Sequence, residues 1–113
     1  MIRLIASDID GTLLQNGATE IPPEIFDHIR RLEKKGVLFC PASGRQYTSL
    51  RRLFAPVADQ VPFLCENGAV VYGPGSPGPI LSKTAMDRRL SEELCTEILA
   101  LPETEVLISG ADV

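Results

Sequence analysis

Asp8 and Asp10 open the string Asp-Ile-Asp-Gly-Thr-Leu-Leu at residues 8–14, directly after the short apolar run Arg3–Ser7. Residues two apart on a strand point the same way, so both carboxylates can face one site. Two close carboxylates repel unless a proton or cation intervenes, and hard oxygen ligands of this kind suit magnesium. Gly11 lets the chain turn sharply away from the strand. The alternative is a solvated turn, since Asp and Gly are common turn residues. Average residue usage gives the Asp-x-Asp-Gly-Thr-Leu string by chance in about one chain of this length in a thousand or fewer. A calcium loop is excluded by the missing later ligand positions. A second group, Ser43-Gly44-Arg45, brings a hydroxyl and backbone N–H groups to a place where a phosphoryl oxygen can be held. Arg45 can pair there with an anionic substrate or equally with a scaffold carboxylate. Glu66-Asn67-Gly68-Ala69 reads either as a turn or as a substrate contact.

Positioning these residues needs strands that end where they begin. Arg3–Ser7, Val37–Ala42 and Val61–Cys65 are near-continuous apolar runs, as in a sheet covered on both faces, and each ends in one of the three groups. Pro41 and Pro62 suggest strand ends or an edge. Pro22–Lys35 carries helix start and stop signals, with Ile25, Ile29 and Leu32 at helical spacing. Tyr47–Ala55 is a second helix. Strand, helix, strand, helix, strand implies right-handed crossovers and a parallel sheet. Ala69–Tyr72 and Pro79–Ser82 flank a loop dense in turn formers, which predicts a hairpin. A third helix is expected from an N-cap at Ser91 to about Leu101, and a further strand over Val106–Ser109.

The chain has 113 residues, 44% hydrophobic and 23% charged, which suits one globular domain. A net charge of −4 and a pI near 4.9 argue against nucleic-acid and anionic-membrane partners. The first acid comes too early for a signal peptide or membrane span, so a cytoplasmic location is expected. Cys40, Cys65 and Cys95 are odd in number and widely spaced; Cys40 and Cys65 read as buried reduced thiols. His28 reads as a boundary residue. The pairs Arg30-Arg31, Arg51-Arg52 and Arg88-Arg89 read as solvated faces.

With Asp8–Leu14, Ser43-Gly44-Arg45 and Glu66-Asn67-Gly68-Ala69 in this order, the chain resembles the Cof-type (subclass IIB) haloacid dehalogenase-like phosphatases over essentially its whole length. The resemblance implies an α/β fold: a Rossmann-like parallel three-layer sheet, here a partial core with a β-hairpin over residues 1–82, then the beginning of an α+β cap over 83–113. It implies a hydrolase of small phosphorylated metabolites, such as a sugar phosphate, with Asp8 as nucleophile forming an aspartyl-phosphate and Asp10 as acid and base. Mg2+ would lie at Asp8 and at the Asp10 backbone carbonyl. Gly11, Thr12, Ser43, Gly44, Arg45 and Asn67 would bind the phosphoryl group or substrate. The family's lysine and final Gly-Asp-x-x-x-Asp motif have no counterpart here, since Lys34, Lys35 and Lys83 do not match. Such a chain is expected to be a piece of a longer protein, largely inactive alone, and to self-associate through an uncovered Arg3–Ser7 edge. A phosphomutase of the same superfamily and a non-catalytic metal- or protein-binding module are the alternatives. A receiver-like signalling domain would need its phosphorylated Asp after the third strand, where Glu66-Asn67 stands.

Overall fold

The chain was analysed as a computed structural model, which describes residues 1–110. In order, the elements are β1 (Leu4–Asp8), α1 (Pro23–Lys34), β2 (Leu38–Ala42), α2 (Tyr47–Leu53), β3 (Phe63–Cys65), β4 (Val70–Tyr72), β5 (Ile80–Lys83) and α3 (Arg88–Leu99). The strands form one mixed sheet in the order β1-β2-β3-β4-β5. β1, β2 and β3 run parallel, and β4 and β5 return as antiparallel neighbours. The α/β class, the parallel strands and the hairpin are as the sequence predicts.

Local chemistry sets the boundaries. Pro22-Pro23 starts α1 with φ already helical, Glu24 lies in its first turn, and Arg31 and Lys34 lie in its last. Gly36, at φ 73°, lets the Val37 N–H reach back to the Leu32 carbonyl at 3.0 Å and closes the helix. α3 begins one turn earlier than expected. Asp87, not Ser91, is its cap, accepting from the Leu90 N–H at 2.9 Å, and the Ser91 hydroxyl donates inward to the Asp87 carbonyl. Val106–Ser109 forms no strand; it pairs with neither end of the five-stranded sheet. β2 is an internal strand although it contains Pro41; the proline sits one residue from its end, and only Ala42 is in register with β3.

The core lies between the helices and one sheet face. Phe39, Phe63, Val70 and Tyr72 pack with Ile29, Leu50 and Phe54. Phe54 has edge contacts with Phe26 of α1 and with Phe63, at ring separations of 6.1 and 6.3 Å. Cys40 and Cys65 are buried free thiols, as expected. Arg51 departs from the solvated reading. Its guanidinium donates to the Tyr47 hydroxyl and to the carbonyls of Ala58 and Gly75, at 3.2, 3.3 and 2.7 Å, and pairs with Asp59. Tyr47 stacks on Tyr72 at 3.7 Å and accepts from the Gly78 N–H. The hairpin loop is thereby tied to α2.

The opposite face and the edge are open. Among the described residues β1 pairs only with β2, and Leu4 and Leu38, which are in register, keep 57% and 43% of their surface exposed. An edge with free backbone groups and apolar side chains favours pairing with another chain. The expected outcome is that residues 1–113 sediment at micromolar concentration as species larger than a monomer. A monodisperse, cooperatively unfolding monomer would show that this edge is covered within the chain.

Candidate active site

The ends of three strands lie level. Asp8 is in register with Ala42, and Ala42 with Leu64, so the segments after β1, β2 and β3 emerge side by side. Ligands of open α/β sheets bind at this end of the strands. The segment after β1 is a compact turn: the amides of Thr12, Leu13 and Leu14 all point to the Ile9 carbonyl, at 2.9–3.1 Å, and Gly11 N–H donates to the Leu14 carbonyl. Ile9 and Leu14 are buried and pin it to the core. Gly11 has φ 82°, a conformation that favours glycine. Asp8 and Asp10 are left at the surface, the Asp8 carboxylate accepting from the Thr12 hydroxyl at 3.2 Å.

Ser43, Gly44 and Arg45 form the loop between β2 and α2. Ser43 is buried; its N–H donates to the Leu64 carbonyl, and its hydroxyl oxygen accepts from the Arg45 N–H at 3.1 Å. Two backbone bonds join this loop to the turn after β3: Asn67 N–H to the Ser43 carbonyl at 3.0 Å and Glu66 N–H to the Arg45 carbonyl at 3.1 Å. Gly44 lies close against Asn67: a Cβ there would come within 3.1 Å of the Asn67 amide group, which would have to give by a few tenths of an ångström. The site residues expected from sequence therefore converge on one end of the sheet.

Arg45 takes the scaffold alternative. Its Nε and Nη2 grip both oxygens of Asp10, at 2.9 and 2.7 Å. This bidentate bond, aided by the guanidinium charge and opposed by slight burial, holds the Asp10 carboxyl below its ordinary range. Asp10 is thus kept as a carboxylate. The Cys65 thiol behind the site is pushed up to about 12, first by burial, then by the Glu66 and Cys40 charges, so it stays protonated and inert.

Whether the donor set fits Mg2+ can be judged from its chemistry. No group of three or more His, Cys, Asp or Glu side chains is gathered among the described residues. Mg2+ is commonly held by one or two carboxylates with waters and substrate phosphate, so Asp8 with the Asp10 carbonyl fits that mode. Glu66 is read from sequence only as part of the Glu66-Asn67-Gly68-Ala69 group, without a role of its own. It adopts φ 51°, and its Oε1 is sealed from solvent with no hydrogen-bond partner among the described residues. A glutamate carries no sequence signal for either property.

A sequence model of haloacid dehalogenase-like hydrolases matches residues 5–112. The 5-amino-6-(5-phospho-D-ribitylamino)uracil phosphatase YbjI of Escherichia coli is 30% identical over 96% of this chain and 39% of its own. A solved structure from Eubacterium rectale superposes with a TM-score of 0.75 at 39% identity, over 87% of this chain and 36% of its own. A Plasmodium vivax protein described as HAD/COF-like shares the fold, with a TM-score of 0.72 at 24% identity, over 88% and 36%. The chain thus spans about two fifths of the length of the relatives it matches. No helix among the described residues is long and apolar enough to cross a membrane.

The Arg45–Asp10 bond makes a pH-dependent contribution whose sign is fixed. Asp10 has a lower pKa folded than unfolded, so its stabilisation is full above the unfolded value and fades as pH falls through the folded one. In Arg45→Ala the Asp10 titration midpoint, followed by carboxyl NMR, should rise to the ordinary aspartate range or above. A midpoint unmoved by the substitution would overturn the pairing.

Proposed function

Because the chain belongs to the haloacid dehalogenase-like hydrolases, we propose that it supplies the nucleophile and phosphate-holding loops of a phosphate monoesterase acting on small phosphorylated metabolites. One observation carries this reading: Asp8 ends β1 level with the Ser43–Arg45 loop, so a carboxylate oxygen and a set of anion-binding groups serve one space. Residues 1–82 form the core in this reading, and 83–113 begin a cap, the last three lying outside the described residues.

In the first half-reaction an Asp8 oxygen attacks phosphorus, the bond to the leaving oxygen breaks, and Asp10 in its protonated form gives that oxygen its proton. An aspartyl-phosphate remains. In the second, Asp10 takes a proton from water as that water attacks the same phosphorus, releasing inorganic phosphate and regenerating Asp8. Asp8 and the Asp10 carbonyl would hold Mg2+, which would supply charge neutralisation for a dianionic ester approaching a carboxylate. Arg45 gives the two Asp10 states a physical basis. Held by Arg45, Asp10 is a base. A phosphoryl group competing for the guanidinium loosens that grip and raises the Asp10 pKa toward the range an acid needs. Ser43 and the Thr12 hydroxyl complete the polar lining, and Gly44 keeps the loop close to Asn67.

Turnover is expected of the polypeptide as its gene encodes it. There, Asp8→Asn should abolish hydrolysis of p-nitrophenyl phosphate with the fold intact by circular dichroism, and Asp10→Asn should cost roughly two to four powers of ten. Wild-type rates in Asp8→Asn would refute the nucleophile. Activity should be supported by Mg2+ and poorly by Ca2+, which prefers more ligands at longer distances. Equal rates with both ions would count against the compact site.

A further inference from the structure

Beside the phosphate-holding loop lies a second cleft, of about 730 Å3, that contains neither Asp8 nor Asp10. It runs between the hairpin, α3 and the segment after it, with Leu94, Cys95 and Ile98 of α3 on one wall and Lys83 and Glu66 on the other. Glu66 is the residue common to this cleft and to the site, since its N–H bonds the Arg45 carbonyl. Two features mark it. Glu66 and Asn67 are consecutive non-glycine residues at positive φ, 51° and 55°, a conformation that survives only where the surroundings impose it. Its Oε1 is the buried side-chain oxygen or nitrogen without a partner among the described residues. Buried acceptors of this kind are rare in native proteins and call for a donor.

The geometry points to Glu66 as a specificity-determining acceptor for the leaving group: a phosphate ester whose alcohol carries a hydrogen-bond donor, hydroxyl or N–H, is bound with that donor on the Glu66 carboxylate and its apolar remainder along Leu94 and Ile98. This rests on the monoesterase reading, because it fixes the phosphate end at Ser43–Arg45. Glu66 joins that end to the cleft, because its N–H bonds the Arg45 carbonyl and its side chain lines the cleft. Glu66 is half-buried, so a small rotation of its carboxylate brings either oxygen to an incoming donor. The strain and the sealed oxygen both weigh against folding alone as the reason for a glutamate at this position.

The test uses the chain carrying Asp8→Asn, so that esters stay intact, and follows backbone amide shifts on adding glycerol 1-phosphate, 3-aminopropyl phosphate or propyl phosphate. At least one donor-bearing ester should bind about tenfold more tightly than propyl phosphate, as a hydrogen bond to a charged group implies. The Glu66 amide should move with that ester alone, and the ester or esters showing the margin identify hydroxyl or amine as the donor. Adding Glu66→Gln should shrink the margin by removing the charge that strengthens the bond. Leu94→Trp, on an exposed part of α3, should shrink it by filling the cleft and keeps the test standing if Glu66→Gln does not fold. Glu66→Gly should raise the melting midpoint while losing the margin, which a purely structural glutamate would not do. Equal binding of all three esters with shifts at Ser43–Arg45, or a margin that both substitutions leave unchanged, overturns the role of Glu66 alone. No shift at Ser43–Arg45 with any ester overturns the phosphate site and this inference with it.

Discussion

The parallel register that sets Asp8 beside Ala42 and Ala42 beside Leu64 governs everything at this end of the molecule. A parallel pair needs a crossover, and each crossover begins with the segment that leaves the strand end. Level strand ends therefore bring three separate loops together without any of them folding independently. The loops after β2 and β3 are locked by backbone bonds, Ser43 N–H to Leu64 and Glu66 and Asn67 back to Arg45 and Ser43, and the turn after β1 is joined to them by the Arg45–Asp10 side-chain pair. A slip of one residue in β2 would turn Phe39 away from Phe54 and carry Ser43 out of reach. Core packing and site geometry are thus fixed by the same register.

Charge within the site is arranged unevenly. Among the described residues, Asp10 is satisfied twice over by Arg45, Asp8 is given a neutral hydroxyl, and one oxygen of Glu66 has no partner. In an acidic chain, the one guanidinium at the strand ends is committed to the carboxylate nearest it. An incoming dianion meets a centre that must rearrange its hydrogen bonds before it is neutralised. The pairing raises the Arg45 pKa as it lowers that of Asp10, so the pair is mutually stabilised and its exchange for a phosphoryl group is a competition between anions.

Much of this was legible in the sequence because it depends on nearest neighbours along the chain. The strand before Asp8, the Pro22-Pro23 helix start and the Gly-Pro-rich hairpin loop are local signals, and the structure follows them. What was not legible depends on contacts made across the fold. Arg51 is placed by the Ala58 and Gly75 carbonyls and by Asp59, none of them its helix neighbours. The choice of Asp10 as partner for Arg45 spans 35 residues. Asp87 displaced Ser91 as a helix cap because both can cap, and spacing does not rank them. Val106–Ser109 has strand-like composition but pairs with no edge of the described sheet, and composition carries no information about pairing.

The clamp made by Tyr47 and Arg51 has a consequence for how this chain can change over time. Tips of surface hairpins are ordinarily where insertions and deletions accumulate, since few contacts depend on them. Here the tip supplies the Gly75 carbonyl and the Gly78 amide to side chains of α2, the helix that begins just after Arg45. Lengthening the loop would remove two bonds from the helix next to the site and free Tyr47 from its stack on Tyr72. The hairpin tip should therefore be as constant in length among descendants of this sequence as the strand ends themselves, and drift in length should collect elsewhere.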